Sequence, residues 1–109
     1  MKDFKFKHLG YDVFVKFLTP EEIRTPEGSI PAGLASVQRE YEKTFGIMKI
    51  NKEIAKEMGK KEILKTFFHE LVHITIQFKH IDIAFCYPHE LEESFVYAAE
   101  DCLSCILDN

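Results

Sequence analysis

Residues 65–78 read KTFFHELVHITIQF. From Glu62 to Phe78, apolar residues recur at Ile63, Leu64, Phe67, Phe68, Leu71, Val72, Ile74 and Phe78, the spacing of a helix with one buried side. A helix turns about 100° per residue, so His69 and His73 project in nearly the same direction, one turn apart. Phe67, Leu71, Ile74 and Phe78 occupy one side, the histidines fall on the other, and Glu70 points between. Two imidazoles at this spacing can chelate one tetrahedral Zn²⁺, and an adjacent carboxylate can take the proton of a bound water. Any fold must therefore cover the apolar side while leaving the histidine side approachable. Residue frequencies alone give one H-E-x-x-H in roughly 3% of chains of this composition. The weight therefore falls on its place within a strongly helical run.

The rest of the chain must supply the cover. With 109 residues, 46% of them hydrophobic, residues 1–109 make a single domain with one core. The first third reads as strand: Phe4 and Phe6 alternate, Gly10 turns the chain, and Tyr11, Val13, Val15 and Phe17 follow in period two, a hairpin. TPEEIRTPEGSIPAG carries three prolines and two glycines and reads as a loop. Thr19 and Pro20 can cap and open one helical turn within it. ASVQREYEK alternates like an edge strand, and FGIMKIN is more apolar. After the His-Glu helix, KHIDIAFCY leads to Pro88, which suits the first position of a second helix. Leu91, Phe95, Ala98, Ala99, Cys102, Leu103 and Ile106 form its expected apolar stripe. Strands followed by two helices predict an α+β fold with a small antiparallel or mixed sheet.

A catalytic zinc needs a third protein ligand and an open position. His80 lies about 10 Å along the helix from His73, too far to share the ion. Ile76 and Lys79 stand where an extended pattern would require glycine and a third histidine. The second helix offers Glu90, Glu92 and Glu93. With its stripe centred near Phe95, Ala98 and Cys102, Glu92 lies on the inner flank above Val96 and Ala99, whereas Glu90 and Glu93 point to water. A core-flanking carboxylate is costly unless paired or bound to metal, so Glu92 is the expected third ligand and Glu93 the alternative.

In these features the sequence resembles the gluzincins, zinc metallopeptidases with H-E-x-x-H on one helix and a glutamate ligand on the next. Eighteen residues separate His73 from Glu92, a spacing seen in that class. The order of elements is similar to minimal single-domain gluzincins and to phage zinc peptidases of the ImmA/IrrE-like group. The resemblance implies a zincin-like fold, with His69, His73 and Glu92 on zinc and Glu70 as general base in peptide hydrolysis. The position where many gluzincins place an acidic residue, four after the glutamate ligand, is here Val96. Some relatives are latent.

Tyr87, His89 and Tyr97 are candidates to stabilise the oxyanion, and ASVQREYEK is the strand edge on which an extended peptide substrate would pair. C102-L-S-C105 reads as core packing, with Cys102 on the buried stripe, because no second cysteine pair accompanies it. Three cysteines, no signal-like segment and no long apolar run predict a cytoplasmic protein that does not enter a membrane. A net charge of −4 with scattered lysines argues against a nucleic-acid partner. Oligomeric state is not legible. Two other readings are a regulatory or binding protein with a largely structural or latent metal site, and a metal-dependent hydrolase of non-peptide bonds.

Overall fold

His8 and Tyr11 pair across a two-residue turn in which Leu9 (φ 54°) and Gly10 (φ 84°) both take the left-handed conformation that matches strand twist. That turn joins β1 (Phe4–His8) to β2 (Tyr11–Leu18), the hairpin expected from alternation. The computed structural model describes residues 2–57, 59–83 and 89–108, and within these every side chain except those at 55, 80–83, 89–92, 95 and 104–108. After β2, Thr19 caps the single turn α1 (Pro20–Ile23): its hydroxyl accepts from the Glu22 amide and the Glu22 carboxylate accepts from the Thr19 amide. β3 (Gly33–Glu40) and β4 (Lys43–Asn51) form a second antiparallel pair, and β4 inserts beside β2 in parallel. The sheet is mixed, in the order β1-β2-β4-β3, so β3 lies at an edge as its charge pattern predicted. The expected strand ASVQREYEK stops at Glu40, because Tyr41 (φ 49°) and Glu42 (φ 64°) make a tight turn.

Asn51 closes the sheet and opens the helices. Its side-chain oxygen accepts from the Glu53 amide in α2 (Lys52–Glu57), its side-chain nitrogen donates to the Pro31 carbonyl, and its backbone amide donates to the Ala32 carbonyl. The long helix α3 (Gly59–Ile83) follows and covers one face of the sheet, while α4 (His89–Asp108) packs against α3. Together these make a small α+β domain. Among the described residues no helix is long and apolar enough to cross a membrane.

The core lies between α3 and the sheet. Val13, Val15, Met48, Ile50, Ile74 and Phe78 are essentially sealed from water, with Phe6, Tyr11, Phe17, Ala35, Val37, Phe67 and Leu71 packed around them. Tyr11 stacks on Phe78 with ring centroids 4.4 Å apart. The Thr75 hydroxyl donates to the Leu71 carbonyl, so it accepts from Nε2 of His8 at 2.8 Å and ties β1 to α3.

Two expectations about the helices need correction. The first helix is not confined to 62–78 but runs from Gly59 to Ile83, so Lys79 and His80 are helical; Pro88 lies outside the described residues. In α4 the expected stripe holds only in part: Ala99 and Leu103 are half-buried, Ala98 and Cys102 are exposed, and the side chains of Leu91, Phe95 and Ile106 lie outside the described residues. Cys102 is therefore a free surface thiol and not core packing. Among the described side chains of α4 Val96 is fully buried, and the inward ones are Glu93, Val96, Ala99, Glu100 and Leu103, a line that is part polar.

The closeness of α3 to the sheet rests on Gly46. A Cβ there would lie 3.2 Å from Ile74 Cγ2 and 3.3 Å from Phe78 Cζ, both fully buried. Gly46→Ala is therefore expected to destabilise the domain by about 1–3 kcal/mol, read from urea denaturation as a lower midpoint at unchanged slope.

Candidate metal centre

Helical spacing brings the imidazoles of His69 and His73 together on α3, with ring centroids 5.0 Å apart. They do not face open water, as a histidine side opposite the core would. His73 is buried and His69 largely so, because α4 lies across them. Two carboxylates of α4 meet them. Glu93 Oε1 lies 2.7 Å from His73 Nε2, and Glu100 Oε2 lies 2.9 Å from His69 Nδ1. Glu93 and Glu100 are seven residues apart, two helical turns, and so share a face.

This corrects the expectation that Glu93 points to water. The physical reason is the phase of α4: burying Val96 brings positions 93 and 100 against α3. The side chain of Glu92, expected to complete the ligand set, lies outside the described residues, as do those of Glu90, His80, Tyr87 and His89. One donor atom each from His69, His73 and Glu93 lie within 4.8 Å of one another, so these three could hold a metal ion. Glu100 plays a different part. Receiving the Nδ1 proton of His69, it leaves Nε2 as the free donor and holds the ring's orientation. With Glu93 in the ligand's place the position four residues on is Tyr97, whose ring meets His69 edge-on at 5.4 Å.

Glu70 sits apart from this donor set. Only 6% exposed, it is buried against β3, where Gly33 permits close approach: a Cβ on Gly33 would lie 3.0 Å from Glu70 Cγ and 3.1 Å from Thr66 Cγ2. Burial raises its carboxyl pKa; the adjacent His69 and His73 oppose the rise, and Glu93 and Glu100 add to it. The site thus pairs a donor cluster with a separate, buried carboxylate whose pKa is raised.

Two cavities flank it and share Gly33, His69 and Glu70. One, about 290 Å³, runs along Leu34 and Ala35 to Gln77 and Glu93. The other, about 320 Å³, is bordered by Pro31, Thr66, Tyr97 and Glu100. A larger concavity of about 780 Å³ lies on the uncovered face of the sheet among Phe14, Phe45, Tyr41 and several lysines; it contains no histidine and only Asp12 and Glu40 as acids, so the donor cluster borders the smaller pair alone among these. Sequence reasoning missed Glu100 and Gln77. The spacing of seven from Glu93 and the His69-His73-Gln77 series at every fourth residue were the available signals.

A carboxyl whose pKa is raised by folding binds more protons folded than unfolded, so its contribution to stability falls as pH rises above its ordinary value of 4.5. In metal-free protein, Glu70→Gln removes that loss. The variant is expected to gain stability relative to the parent as pH rises above 4.5, measured by urea denaturation in chelator.

No family model matches the chain, and neither a curated protein nor a solved structure matches it.

Proposed function

We propose that this chain is a zinc-dependent metallopeptidase of the gluzincin type, with His69, His73 and Glu93 holding the ion and Glu70 as general base. The observation that carries this reading is the division of labour in the site. Two imidazoles and one carboxylate converge as candidate metal donors, while a fourth side chain, the carboxyl of Glu70, stands beside them buried and outside the set. A structural ion is usually closed by four protein ligands and has no use for such a group. When bound, the ion would acidify a coordinated water and polarise the scissile carbonyl.

The protein's own groups supply the remaining steps. Glu70 takes the water's proton as attack proceeds and delivers it to the departing amine, and the upward shift of its pKa makes it a stronger base than an exposed carboxylate. Glu100 fixes His69 in the tautomer whose Nε2 can donate. Tyr97, bordering the cavity beside His69, is the described side chain best placed to meet the developing oxyanion. The edge strand β3 runs beside the donors and offers an extended peptide a surface to pair with. The exposed, free thiol of Cys102 accords with a reducing cytoplasmic setting.

The test joins a metal assay to a cleavage assay. Glu93→Gln is expected to abolish stoichiometric zinc binding, and Glu100→Gln to weaken it by about 10–100-fold. Glu70→Gln is expected to keep zinc while losing peptide cleavage by about 100-fold or more. Zinc retained with no cleavage of any peptide by the parent favours the binding-protein reading. Cleavage confined to an ester panel favours non-peptide hydrolysis. Zinc lost in Glu92→Gln but kept in Glu93→Gln would move the third ligand to Glu92.

A further inference from the structure

The open edge of β3 has a readable hydrogen-bond parity. Asn51 donates its backbone amide to the Ala32 carbonyl, which makes 32 and 51 a hydrogen-bonded pair. Antiparallel ladders alternate, so in the register 34↔49, 36↔47 and 38↔45 the even residues of β3 spend their backbone groups on β4. Gly33, Ala35 and Val37 therefore turn their N–H and C=O groups outward. Those of Gly33 and Ala35 border the cavity that also contains His73 and Glu93. At Val37 the outward N–H is already used: it donates to Gln77 Oε1 at 3.1 Å.

Gln77 stands one helical turn beyond His73 and faces the same way, so a residue of the site helix reaches across to cap the strand. We propose that Gln77 is a built-in stop that ends the peptide-pairing edge after Gly33 and Ala35, and so sets which substrate length this site rewards. The inference rests on the peptidase reading for its substrate, though the cap itself does not. A peptide laid antiparallel to β3 has its amino-terminal side toward Val37 and Gln77. Backbone pairing is available to it beside the donors and is withdrawn about two residues further on. Substrates with a short amino-terminal side are bound as well as long ones, and recognition on the other side falls to the cavity bordered by Pro31, Thr66 and Tyr97.

The experiment has two readouts. In the first, fluorogenic peptides are lengthened one residue at a time at the amino-terminal end. For the parent, kcat/KM is expected to stop rising after about two residues on that side. In Gln77→Ala the ratio of long- to short-peptide kcat/KM is expected to rise by about 5–10-fold, the worth of one recovered hydrogen bond. Gln77→Glu, which keeps the acceptor oxygen, restores the plateau. In the second, amide exchange at Val37 is followed in metal-loaded protein. It is expected to quicken at least 10-fold in Gln77→Ala and to slow again in Glu70→Gln/Gln77→Ala only when a long peptide is bound. An unchanged Val37 exchange rate in Gln77→Ala, or the same length dependence in parent and variant, overturns the proposal. Quickened exchange that no peptide reverses also overturns it, since the cap would then not limit a substrate. Failure of the peptidase reading is separate and shows as absence of cleavage by the parent at every length.

Discussion

Two strand positions without a Cβ, Gly33 and Gly46, govern how closely α3 can lie on the sheet. At Gly46 the gap is filled by Ile74 and Phe78, which seal the core. At Gly33 it is filled by Glu70 and Thr66, so the same close approach takes a carboxylate out of water. One helix thus meets the sheet twice, once with hydrocarbon and once with its chemistry. The buried character of Glu70, and with it the upward shift of its pKa, follows from packing that the hydrophobic core already enforces.

The donor cluster follows from the other side of the same helix. α3 presents His69, His73 and Gln77 at intervals of four, and each finds a partner outside the helix: Glu100 and Glu93 on α4 for the histidines, the Val37 amide on β3 for Gln77. The histidine pairs with α4 leave the imidazoles few orientations. Polar groups held this way in a partly buried seam are matched to one arrangement, since an unpaired member would be costly.

Much of this was legible before the structure. Period-two alternation marked the first hairpin, and Thr19 with Pro20 marked the capped turn. The helical run marked α3, and the charge pattern of β3 marked its place at an edge. Each of those signals is local. What failed depended on phase and partner. The α4 stripe was expected near Phe95, Ala98 and Cys102, but Ala98 and Cys102 are exposed, and about one residue of rotation turned Glu93 from a solvent carboxylate into the neighbour of His73. Apolar spacing alone did not fix the rotation of α4, which is settled by what the helix packs against. The parallel insertion of β4 between β2 and β3 was equally illegible, because alternation records burial and not which strand lies alongside.

The attachment of α4 has a consequence of its own. Among the described side chains its fully buried apolar anchor is Val96, and it meets the histidines of α3 through two carboxylates and the ring of Tyr97. An ion shared by the two helices would act as a clasp on the C-terminal segment, as metal ions do where ligands come from separate elements. Starving the protein of metal would then loosen one helix and uncover the histidine side of the other, turning a change in ion supply into a change in how long the molecule survives.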